Sequence, residues 1–194
     1  MTSIRNTACI LSRLRDWRSD HRGVAAVEFA IILPFMLALY IGGVELGDGL
    51  AIQVKVTDTA HTVADLTSQQ TTTTNITNVN SILNASSQII APYASPPYSA
   101  SNVIVTISEV STDASGAATV TWSESLNGTK RPIGQAVTLP ASLAGLANIS
   151  LILGEVSYKY TPNLGYTITG TVTISDSYLL FPRNSAAISC PTCT

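Results

Sequence analysis

At 194 residues and 20.4 kDa the chain has room for one modest domain and an anchor, but not for two large domains. Charged residues make up only 11% of it, hydrophobic residues reach 45%, and mean hydropathy is +0.29, which excludes a disordered acidic chain and a highly charged cytosolic enzyme and points to a membrane or cell surface. A net charge of −2 with no dense stripe of Lys and Arg excludes a nucleic-acid partner, and three cysteines with only His21 and His61 beside them make neither a disulfide scaffold nor a metal-ligand set.

Five of the ten basic residues, Arg5, Arg13, Arg15, Arg18 and Arg22, fall in the first 22 positions. Residues 24–44 follow, an apolar run in which Glu28 is the only charged side chain. As a helix rising about 1.5 Å per residue, such a run spans about 30 Å, the thickness of a bilayer's hydrocarbon core. Arginines before it and Glu45, Asp48, Asp58 and Asp65 after it predict a single-pass anchor with its N-terminus cytoplasmic and everything beyond about residue 45 outside. A removable secretory signal fits less well, because the run is too long, holds an acid and lacks a small-x-small cleavage site just beyond it.

A lone carboxylate in a bilayer costs at least ~2.5–3.5 kcal/mol, so Glu28 asks for a partner or for hydration at the membrane surface one turn away. Its setting favours a partner. Gly23-Val24-Ala25-Ala26-Val27-Glu28-Phe29 resembles the class III signal of type IV pilin-like proteins. Extended to Arg22, Leu33-Pro34 and Gly43-Val44-Glu45-Leu46-Gly47, the stretch over residues 20–66 resembles the TadE-like family of the Tad (Flp) pilus system. The departure is Gly47-Asp48-Gly49, where an aromatic or basic residue is more usual.

The resemblance implies cleavage by a prepilin peptidase after Gly23, with Val24 becoming the first residue and the helix staying on the mature protein. It implies that Glu28 pairs with the new amino terminus of a neighbouring subunit and sets axial register, with Phe29 packed beside it. Two charges that are costly separately in lipid offset one another side by side. The implied partners are other Tad pilins and pseudopilins, the inner-membrane Tad assembly platform, the peptidase and inner-membrane lipid. Pro34 reads as a kink that neighbouring helices tolerate.

Beyond the membrane, Ile52, Val56, Ala60, Val63 and Leu66 recur every three or four residues, predicting an amphipathic stalk over 47–70 that continues the anchor as one long helix. The polar run Gln69-Gln70-Thr71-Thr72-Thr73-Thr74 reads as a linker, and Ile76, Val79, Leu83 and Ile90 as a short second helix within 71–99, ended by Pro92 and a Pro96-Pro97 turn. The period then changes to two. Val103, Val105 and Ile107, a turn over 111–116, and Val120 and Trp122 predict a hairpin. Ile152, Gly154, Val156, Tyr158 and Tyr160 share one face of a third strand; after a turn at Thr161-Pro162-Asn163-Leu164-Gly165, Tyr166, Ile168, Gly170, Val172 and Ile174 mark a fourth. The predicted fold is α+β and pilin-like, with an antiparallel sheet of about four strands over 100–184 packed by one face on the helices, and a tail over 185–194. Val120-Thr121-Trp122-Ser123, the stretch from Gly154 to Pro162 and Phe181-Pro182-Arg183 resemble longer TadE/TadG-type proteins more loosely.

Cys190-Pro191-Thr192-Cys193 ends too close to the last residue for the following helix that a redox site uses, so a local disulfide, an intersubunit bridge and free thiols stay open there. Cys9 sits in the leader, 1–23. No nucleophile elbow, phosphate loop or zinc motif is present, so no catalytic residue, metal or cofactor is expected. The leading expectation is a non-enzymatic pseudopilin or minor pilin in the bacterial inner membrane, its sheet domain periplasmic or carried on a pilus. The alternative is an unprocessed bitopic periplasmic scaffold or binding module outside any fibre.

Overall fold

The computed structural model describes residues 23–93, 102–162 and 170–193. Residues 1–22 of the leader, the Pro96-Pro97 turn, positions 163–165 of the expected turn, and Tyr166 and Ile168 lie outside them. The described chain is α+β: helices α1 (Val24–Ser68) and α2 (Ile76–Ile89), then strands β1 (Val103–Thr112), β2 (Ala118–Leu126), β3 (Ser150–Tyr160) and β4 (Val172–Leu180). By compactness it divides into two units, Met1–Val44 and Glu45–Thr194, the division falling within α1.

In the first unit α1 carries its apolar side chains bare, as Ile31 at 62% and Leu39 at 78% exposure illustrate. In the second unit the same helix buries Ile52, Val56, Ala60, Val63 and Ala64, the stripe that the helical period places on one side. It ends at the linker, where the last carbonyls find partners: Gln69 N–H donates to Asp65 O, and Arg183 N–H to Ser68 O at 2.8 Å. Asn75 caps α2, its side-chain oxygen accepting from Asn78 N–H at 2.9 Å.

The strands form one antiparallel sheet in the order β2-β1-β3-β4. The β1–β2 hairpin closes at Asp113, whose Oδ1 accepts from Ser115 N–H, Ser115 Oγ–H and Ala117 N–H at 2.6–2.9 Å; these bonds hold its carboxyl below the usual range. Gly116, at φ +84°, completes the turn. A bulge between Glu109 and Val110 shifts the hairpin register. The fourth strand lies further along the chain than its alternation suggests: Gly170 precedes it at φ +66°, and pairing runs through the polar Ser175-Asp176-Ser177 to Leu180.

One face of the sheet, carrying Val103, Val105, Ile107, Trp122, Ile152 and Val156, packs with the buried stripe of α1 and with Val79 and Leu83 of α2. The sheet and α1 come close at Gly154, where an added Cβ would lie 2.7 Å from Ala60 O and 3.1 Å from Ala64 Cβ. The other face is partly covered too. Residues 134–137 run along the edge of β2, with Val120 N–H donating to Gln135 O and Val137 N–H to Ala118 O, and Val137 and Leu139 pack on Val110, Ala118 and Leu153.

Candidate functional site: the N-terminal helix and the sheet domain

The residues singled out in the sequence fall in two places. Gly23 and Val24 stand at the start of α1, both exposed, so the peptide bond between them lies at the mouth of the helix. Glu28 and Phe29 follow within the first two turns, also exposed, Phe29 at 57%. Together they give a bare apolar helix end with one carboxylate on it. Over 18 residues its mean hydropathy reaches 2.3, and none of that window is buried, so the helix is long and apolar enough to cross a membrane.

Cys190 and Cys193 are joined by a disulfide with Cα atoms 5.3 Å apart. Rather than trailing away, the segment read as a tail adds Ile188 and both cysteines to the core. Its backbone is held on both sides: Trp122 Nε1–H donates to Ile188 O at 2.6 Å, and Ile188 N–H to Glu109 Oε1 at 2.9 Å. Glu109, 2% exposed, also accepts from Ser150 Oγ–H. Ser189 pairs in parallel with Thr73, and Thr192 Oγ1 accepts from Ile76 N–H at 2.8 Å. The segment thus ties the inter-helix linker to the sheet. Among the described residues no group of three or more His, Cys, Asp or Glu could hold a metal.

Where the second unit begins, Tyr160 O–H donates to Glu45 Oε2 at 2.8 Å. Partial burial, with the Glu45 carboxylate as acceptor and Asp48 nearby, pushes the Tyr160 phenol up to about 12. Residues 23–65 match the family model of TadE-like proteins. The chain carries a TadE-like segment. It runs from the glycine before α1 to Asp65, one turn short of the helix's end, and includes Glu28, Glu45 and the buried stripe. No curated protein and no solved structure gives a significant match.

Sequence reasoning missed the bond between Glu45 and Tyr160, which are 115 residues apart. It also missed the sheet-side contacts of Glu109 and Trp122, because an acid in a strand reads as solvent-facing until its partners are known. For Arg183 the structure supplies a role: its guanidinium pairs with Asp65 and its N–H caps α1.

Proposed function

We propose that this chain is a membrane-anchored pseudopilin or minor pilin acting in Tad (Flp) pilus assembly, cut after Gly23 by a prepilin peptidase and without enzymatic activity. The observation that carries the reading is the bare apolar helix with its single carboxylate inside the TadE-like segment. Such a helix needs lipid or other helices around it. Gly43 and Gly47, spaced four apart with open space where a Cβ would stand, suit close approach by another helix. In this reading the N-terminus is cytoplasmic, the anchor sits in the inner membrane, and the sheet domain faces the periplasm or rides on the fibre. Other Tad pilins and the assembly platform are its partners, and Glu28 meets the free amino terminus of a neighbour, with Phe29 packed beside the pair.

The test is Glu28→Ala in cells that make the pilus. Loss of a lipid-buried charge pair worth ~3 kcal/mol weakens subunit association about a hundredfold, so fibre counts by electron microscopy fall sharply while the amount in the membrane fraction is unchanged. Normal fibre counts with this variant contradict the register role.

A further inference from the structure

The second unit holds a cavity of about 280 Å³ beside the first turns that follow the apolar run. Three tyrosines, Tyr93, Tyr158 and Tyr160, line it together with Ile52 and Asp48. Glu45 stands next to it, one helical turn before Asp48 and bonded to the Tyr160 hydroxyl. Tyr158 is buried, and its hydroxyl donates to Tyr93 O at 3.3 Å, so two of the walls are tied together. Burial, then the Glu45 and Asp48 carboxylates, hold the Tyr160 phenol protonated, so its ring adds no negative charge. The described ion pairs, which use Lys130, Arg131 and Arg183, leave Asp48 without a basic side chain.

Aromatic walls with an acid at the rim suit a cation, since ring faces and carboxylates both attract positive charge. Position narrows the choice. Asp48 is four residues past Val44, about 6 Å along the helix, and the headgroup layer on each side of a bilayer is about 5–7 Å deep. Tyrosines are also the residues that settle at that depth. We propose that this cavity takes the primary ammonium of a zwitterionic phosphatidylethanolamine headgroup, with Asp48 accepting its N–H bonds and the tyrosines walling it in. A primary ammonium offers three donors that a trimethylammonium lacks, so phosphatidylcholine binds less well. The inference rests on the membrane anchor but not on cleavage at Gly23 or on fibre assembly.

The experiment is native mass spectrometry of the full-length protein in detergent, with equal amounts of phosphatidylethanolamine, phosphatidylcholine and phosphatidylglycerol of the same acyl chains. The expected result is about tenfold greater retention of phosphatidylethanolamine, reduced to the level of the other lipids in Asp48→Asn. Asp48 is exposed, so that variant should fold, and unchanged circular dichroism checks it. Tyr160→Phe, which keeps the ring and loses only the hydroxyl bond, should retain part of the preference. Asp113→Asn, at the far hairpin, should keep all of it. Equal retention of the three lipids, or a preference that survives in Asp48→Asn, overturns the proposal. Competition by a lysine-bearing peptide without any lipid preference also overturns it, assigning the cavity to a protein chain instead. None of these outcomes depends on processing, whose failure shows separately as an uncut N-terminus.

Discussion

The two parts of α1 share a secondary structure and differ in what surrounds them. Residues 24–44 expose their apolar side chains, while from Ile52 onward one side of the helix is buried, Thr59, Thr67 and Ser68 among its apolar residues. A helix that is apolar all round has no preferred side toward a core, whereas a stripe recurring every three or four residues selects one. The first part is therefore built for an apolar environment that the chain itself does not provide, and the second for its own sheet.

An aspartate placed in each part separates them most strongly. Val63→Asp puts a charge at a fully buried position and should destabilise the second unit by more than ~3 kcal/mol, measured by urea unfolding. Leu37→Asp, in the exposed part, should leave that unfolding midpoint unchanged and instead lower membrane insertion, at ~2.5–3.5 kcal/mol per charge. Equal effects on the midpoint would erase the distinction.

Glycines sharpen it with opposite signs. Gly154→Ala forces a Cβ against Ala60 O on the sheet-facing side of α1 and should cost about 1–3 kcal/mol. Gly47→Ala meets open space and should stabilise the helix by up to about 1 kcal/mol in the isolated protein. If the Gly43–Gly47 side packs on another subunit, the same substitution lowers fibre yield.

Most of the architecture was legible because its signals are periodic. The stripe of Ile52, Val56, Ala60 and Val63 gives the stalk, and alternation around Val105 and Val156 gives the strands. What escaped has no period. Residues 127–149 cover part of the second face through scattered contacts such as Val137 and Leu139, so a sheet expected to pack by one face packs partly by both. The last ten residues looked like a tail because Ile188 stands among small polar residues; its burial depends on Trp122 and Glu109, 66 and 79 positions away. At the site, the order of Gly23, Glu28 and Glu45 carried the family resemblance, but Tyr160 could not be joined to Glu45 without the fold.

The smallest effect expected is electrostatic and belongs to the Glu45–Tyr160 pair. Tyr160 has a folded-state pKa of about 12 against 10.0 unperturbed, so the fold favours the protonated phenol. Its contribution to stability is complete below pH 10 and is lost as pH rises from about 10 to about 12. Tyrosinate absorbance should show Tyr160 titrating late, beside a Tyr158 that burial also raises, and Glu45→Gln, whose neutral side chain no longer opposes ionisation, should move the Tyr160 step toward 10. An unmoved titration would mean that burial and the remaining charge of Asp48 set the value without Glu45.

The central claim is that the bare half of α1 begins at a processed terminus. Intact mass and N-terminal sequencing of the membrane-extracted protein, from cells with and without the prepilin peptidase, test it most directly. The account expects Val24 as the first residue only where the peptidase is present. A Met1 terminus in both strains contradicts it and leaves an uncut bitopic anchor whose function lies in the sheet domain.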